Sequence, residues 1–237
     1  MTSLVLVPGL MCDRTVWEHQ IRELSSIADC WVPDHHALNS LPAMAAAILA
    51  EAAPKFALVG HSMGGRVAFE IFRQAPERVE RLAIFDTKYQ PLPAGEAGEQ
   101  EREGRYKLLG IAKTAGVRSM AQEWVQGMVH PGRKSDPELI PAIVDMFGRK
   151  SPQVFEAQIT ALLNRPDAGT LIEQVRVPTL ILCGRHDAWS PPAAHIEMSA
   201  KIASSRLVVV EDSGHMVTME RPDEVSKAMR AWLTAGP

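Results

Sequence analysis

Short apolar runs without polar alternation punctuate the chain, and they constrain its fold more than any other feature. They lie at residues 3–7, 56–59, 81–85, 179–183 and 206–210, with a weaker run at 30–33. A strand with one wet face alternates apolar and polar residues, whereas a strand buried on both faces does not. The stretches between several of these runs read as helices. Residues 63–74 carry Val67, Ala68, Ile71 and Phe72 at helical spacing, and Pro76 follows as a stop. Ser190-Pro191 reads as an N-cap with proline in the first turn, opening a helix toward Ile202. Residues 222–233 place Val225, Met229, Trp232 and Leu233 on one stripe. Strand alternating with helix predicts an α/β fold: a mostly parallel sheet of about six strands, flanked by helices and joined by right-handed crossovers.

One region interrupts the alternation. Between about 87 and 177 no strand is expected. Val117, Met120, Trp124 and Met128 form one helical stripe. Asp136-Pro137 caps a second helix with Leu139, Ile140, Ile143 and Met146, and Ser151-Pro152 opens a third with Phe155, Ile159 and Leu162. No Gly/Ser-rich linker flanks this region, so it reads as a helical insertion at 88–172 into a core formed by 1–87 and 173–237. The charges from Glu96 to Lys107 read as a solvated face.

Composition narrows the function classes. The 237 residues carry a net charge of -3, without the basic excess of a nucleic-acid binder. Three cysteines, Cys12, Cys30 and Cys183, lack the number and spacing of a disulfide framework or a zinc site and read as reduced thiols. The N-terminus has no basic segment before its short apolar run, and no stretch approaches the ~18 apolar residues of a membrane span. The expectation is a cytoplasmic protein without a membrane span. No metal-ligand cluster, dinucleotide fingerprint or P-loop appears, so no cofactor is implied.

The sharpest motif is Gly60-His61-Ser62-Met63-Gly64, a G-x-S-x-G pattern after a predicted strand and before a predicted helix. A tight strand-to-helix turn lifts the serine hydroxyl into the open, and the helix N-terminus offers N–H groups to developing negative charge. Serine needs a base. Among eight histidines, His215 lies in a loop after the last predicted strand, at the carboxyl edge of a parallel sheet. His19, His35 and His36 stand in polar contexts, and His61 should point away from the serine. The orienting acid is Asp187, released from its strand by Gly184, with Asp86 as the rival because it also ends a strand. The order Ser62, Asp187, His215 favours Asp187. Oxyanion donors are the N–H groups of Met63 and, from the loop after the first strand, Leu10, with Met11 second. Cys12 reads as a small buried residue.

These positions together resemble the α/β-hydrolase family. Val5-Pro8-Gly9-Leu10, the 60–65 turn, the 184–187 loop and Gly214-His215 occur in the family's order across nearly the whole chain. The resemblance is strongest to small esterases and enol-lactone hydrolases with a helical lid. Pro8 stands where histidine is common in that family, and there is no room before Ser3 for the family's first two antiparallel strands. The resemblance implies a catalytic triad, a lid at 88–172 and a small-molecule ester as substrate. Met11, Trp124, Met128, Met146 and Met216 are candidates for an apolar, adaptable pocket that favours uncharged groups, although their spacing also suits core positions. The same triad serves enol-lactone, thioester and C–C hydrolases, lyases and perhydrolases, and a non-catalytic receptor could retain the pocket.

Overall fold

The computed structural model describes residues 1–236. All six runs form strands: β1 (Thr2–Val7), β2 (Ala28–Trp31), β3 (Phe56–His61), β4 (Val79–Phe85), β5 (Thr179–Gly184) and β6 (Ser205–Val210). They make one sheet in the order β2-β1-β3-β4-β5-β6, and every pairing is parallel. The unbroken apolar pattern has the expected cause, since every residue of β3 and β5 is buried. Helices cover both faces of such a sheet and leave no wet side to reward alternation. In chain order the helices are α1 (Glu18–Leu24), α2 (Leu41–Glu51), α3 (Met63–Gln74), α4 (Glu96–Ala115), α5 (Val117–Trp124), α6 (Leu139–Gly148), α7 (Pro152–Leu163), α8 (Gly169–Ile172), α9 (Pro192–Lys201), α10 (Val217–Glu220) and α11 (Pro222–Thr234).

The strand order reverses once. The chain steps outward from β1 to β2, then crosses to the other side of β1 to lay down β3. The loops after β1 and β3 diverge at that reversal and open a crevice at the carboxyl ends of the strands. Backbone strain collects along the same edge. Five non-glycine residues have positive φ, namely Met11, His36, Ser62, Asp86 and Asp212. Each lies a few residues past the end of a strand. Left-handed backbone costs an L-residue roughly 1–2 kcal/mol, so surrounding contacts must hold it.

Between β4 and β5 the described residues form α4 to α8 and no strand. Ser151 caps α7 as expected, accepting the Val154 N–H at 3.3 Å. Asp136 accepts the N–H groups of Glu138 and Leu139 at 3.0 and 2.9 Å and so starts α6. The polar stretch from Glu96 is the first half of α4, a helix of 20 residues. One expectation fails: α9 begins at Pro192 with Pro191 as N-cap, because the Ser190 N–H is drawn to Asp187 instead. One continuous cluster of buried apolar side chains joins the sheet, its flanking helices and α4 to α8. Among the described residues, no helix is long and apolar enough to cross a membrane.

Candidate active site

Ser62 sits between β3 and α3 with φ of 56° and ψ of -118°. Its N–H is anchored to the Phe85 carbonyl at 2.9 Å. The neighbouring glycines are required by packing as well as by access to the hydroxyl. A Cβ on Gly64 would stand 2.2 Å from the Val7 carbonyl oxygen, and one on Gly60 would stand 2.3 Å from the Gly64 oxygen. Glycine therefore lets the turn press against β1 while holding the serine in left-handed backbone.

The three dispersed residues meet. His215 Nε2 lies 2.8 Å from Ser62 Oγ, and its Nδ1 lies 2.8 Å from Asp187 Oδ2. The other carboxylate oxygen of Asp187 accepts the N–H groups of Trp189 and Ser190, both at 2.9 Å. Burial alone would raise this carboxyl, but His215 and those two N–H groups hold it below the usual aspartate range. Asp86 does not reach His215. Its Oδ1 accepts the Gly184 N–H at 3.0 Å, and complete burial, reinforced by the Asp187 charge, pushes it well above the ordinary range.

The backbone of the His215 loop is held by three partners that the sequence did not announce. His61 donates from Nε2 to the His215 carbonyl at 2.8 Å, so its ring is bonded to the His215 backbone and not to the serine hydroxyl. The His215 N–H donates to the Met128 carbonyl at 2.6 Å. Glu220, buried between the two segments, accepts the Gly214 N–H at 2.8 Å and the His130 N–H at 2.7 Å. Its position five residues after the histidine was the only available signal, and nothing in its type or context marked it.

Among the described residues, the N–H groups of Leu10 and Met63 have no hydrogen-bond partner. Met11 N–H, the alternative donor, is committed to Gln158 Oε1 on α7 at 2.8 Å. That bond secures the left-handed Met11 and turns its side chain into the core, fully buried and away from the cavity. The preceding turn is fixed by His35, whose Nε2 donates to the Pro8 carbonyl at 3.1 Å. His35 is buried rather than in a polar context, and burial pushes it down to about 4.

A cavity of about 470 Å³ opens over Ser62, His215, Leu10 and Met63. Trp124, Met128 and Met216 line it. Met146 does not: it is fully buried, and its neighbour Phe147 reaches the cavity instead, because adjacent residues on a helix face about 100° apart. Trp189 stacks on Trp124 at 5.8 Å between centroids and lies 4.8 Å from the His215 ring. Cys12 also lines the cavity, and burial pushes its thiol up to about 12, which removes it as a nucleophile at neutral pH. The cavity is not wholly apolar. Glu101 and Arg105 of α4, Arg66 of α3 and Arg165 beyond α7 line it too, so part of the supposed solvated face looks inward.

Comparison with known proteins gives a consistent picture. The family model described as "Alpha/beta hydrolase family" matches residues 4–228. A Haemophilus influenzae relative carrying the name esterase/lipase is 29% identical over 185 residues, 76% of this chain and 60% of that protein. The chain spans between 60% and 66% of the length of the first curated relatives it matches. Among solved structures, a thermophilic esterase from Thermogutta terrifontis is similar with a TM-score of 0.88 and 30% identity, covering 98% of this chain and 89% of that one. An enol-lactonase from Burkholderia xenovorans shares the fold with a TM-score of 0.85 and 21% identity, covering 99% of this chain and 92% of that one.

Proposed function

Because this chain belongs to the alpha/beta hydrolase family, we propose that it is a carboxylic ester hydrolase working through an acyl-serine intermediate. The observation that carries the reading is the unbroken hydrogen-bonded relay from Asp187 through His215 to Ser62, set beside two unengaged N–H groups. In this reading Ser62 Oγ attacks the ester carbonyl carbon as His215 Nε2 takes its proton. Asp187 steadies the imidazolium through Nδ1. The carbonyl oxygen becomes an anion and is received by the Leu10 and Met63 N–H groups. Collapse expels the alcohol, which takes the proton from His215. Water then enters, gives a proton to His215 and attacks the acyl carbon, and collapse returns that proton to Ser62 and frees the acid.

The helical segment, read as a lid at 88–172, shields this chemistry, and its aromatic side chains accept a small to medium acyl or alcohol chain. The test is hydrolysis of p-nitrophenyl butyrate together with labelling by a fluorophosphonate probe. Wild type should hydrolyse the ester and be labelled at Ser62, and Ser62→Ala should do neither. Equal rates in the two proteins would overturn the reading.

A further inference from the structure

The cavity wall opposite to what an all-apolar ester needs is basic. Three guanidinium groups, Arg66, Arg105 and Arg165, line the same cavity as Ser62; the carboxylate bonded to two of them is Glu101, while the cavity's other acidic residue, Asp86, is turned to the Gly184 N–H. Glu101 is already shared. Its Oε1 accepts from Arg105 and from Arg165, each at 2.7 Å at the closest, and its Oε2 accepts from Arg165 at 2.7 Å. That staple between α4 and the residue after α7 accounts for one positive charge and leaves two uncompensated.

Arg66 makes the excess hardest to dismiss as scaffolding. It stands one helical turn beyond Ser62, and among the described residues it pairs with no carboxylate. Its one hydrogen bond runs from one terminal nitrogen to the Gln90 carbonyl at 2.8 Å, while a guanidinium carries five donors. Burial, with the charge of Arg165, pushes Arg66 down to about 9. Arg165 is 8% exposed, its two terminal nitrogens are turned to Glu101 and its Nε is buried, so it adds positive charge beside Arg66 rather than a free fork. A guanidinium held half-dry beside a second positive charge, as Arg66 is, is costly unless an anion joins it. The apolar wall of the cavity, including Leu108, Phe155 and Leu162, requires that anion to arrive on a hydrocarbon chain.

Resting on the ester-hydrolase reading, we propose that the substrate is an ester whose acyl or alcohol part ends in a carboxylate, received by Arg66 beside the positive charge of Arg165 while the ester carbonyl lies at Ser62. Arginine suits this because its planar fork matches a carboxylate.

The experiment compares kcat/KM for charged and neutral pairs of equal length. One series sets monomethyl esters of C4–C8 straight-chain dicarboxylic acids against methyl esters of the matching monocarboxylic acids. The other sets butyryl esters of ω-hydroxy acids against butyryl esters of the matching alcohols. In at least one series the carboxylate-ended ester should win by about tenfold or more at low salt, with the margin shrinking as salt rises. Arg66→Met should collapse that ratio toward one, chiefly through KM. Arg66→Lys should keep part of it. Glu101→Gln, which removes the competing carboxylate, should enlarge it. Opposite signs from Arg66→Met and Glu101→Gln are something a purely structural role does not produce.

A neutral ester hydrolysed as well as its charged partner at every length in both series overturns the proposal, and so does a ratio indifferent to Arg66→Met. Those results leave the ester-hydrolase reading standing if Ser62 is still labelled by the fluorophosphonate. If no ester is cleaved and Ser62 is not labelled, the ester reading falls, and titration with a C4–C8 dicarboxylate, followed by the fluorescence of Trp124 and Trp189, reads the anion site alone. Saturable quenching lost in Arg66→Met then supports the basic site, and its absence overturns it.

Discussion

The carboxyl edge of the sheet and the helical segment between β4 and β5 build the same cavity by different means. At the edge, position is set by backbone. Strands end, glycines allow close approach, and strained residues such as Ser62 and Asp86 are pinned by main-chain bonds. In the helical segment, the cavity surface is made of side chains: the aromatic group of Trp124, Phe147 and Phe155, and the charged group of Glu101, Arg105 and Arg165. The difference teaches where change is tolerated. Groups placed by backbone cannot be moved without rebuilding the sheet, whereas rings and charges on helices can be exchanged one at a time.

Substitutions can break or sharpen that contrast. The largest effect belongs to the edge: on the proposed mechanism Ser62→Ala or His215→Ala should cost on the order of 10⁶ in kcat, far beyond any change among the helices. Next, Asp187→Asn should lower kcat by roughly 10⁴, because His215 loses its orienting acceptor. Asp86→Asn should stay within about tenfold of wild type, since an amide oxygen can still accept the Gly184 N–H. A reversed order in steady-state assays would transfer the acid role to Asp86. Third comes the point where the regions meet. Gln158→Leu leaves the buried Met11 N–H without an acceptor, at a cost of about 1–3 kcal/mol in chemical denaturation. It should also lower kcat by roughly 10–100-fold, less than outright loss of an oxyanion donor, with KM moving less.

The fourth prediction is confined to the helices and concerns pH. Burial would raise Glu101, but hydrogen bonds from Arg165 and Arg105 hold it down at about 2, below its ordinary 4.5. Its contribution to stability is therefore complete above the unfolded value and is lost as pH falls from about 4.5 toward about 2. Thermal melts of Glu101→Gln should show a shallower decline than wild type across that window. The smallest effect belongs to the half-exposed pair of Lys113 and Glu156. Neutralising either residue should change stability by no more than about 1 kcal/mol.

The edge was the more legible region for the same physical reason. Burial on both faces makes strands β3 and β5 apolar throughout, and the elbow demands small residues at fixed offsets from Ser62. Those demands are local in sequence and can be read there. Placing His215 needed the rule that functional loops gather at strand ends, and choosing Asp187 over Asp86 needed the chain order of serine, acid and histidine as well. The helices were harder. The N-terminal half of α4 hides its inward face, because Glu101 and Arg105 are polar and the distant partner of Glu101, Arg165, lies 64 residues away. Gln158 is an unremarkable residue within its own helix, and its importance comes from Met11, 147 positions distant. Met11 and Met146 were misplaced because a methionine beside a functional loop fits a pocket and a core equally well until the backbone direction is known.

The His215 loop also lends its N–H to Met128 and shares Glu220 with His130. The helical segment is therefore not a module that can be traded between relatives. A graft chosen for a new substrate would need to supply a main-chain oxygen where Met128 stands, a main-chain N–H where His130 stands, and an amide where Gln158 stands. A graft that matches only the cavity wall would leave the His215 loop and the loop after β1 without their struts.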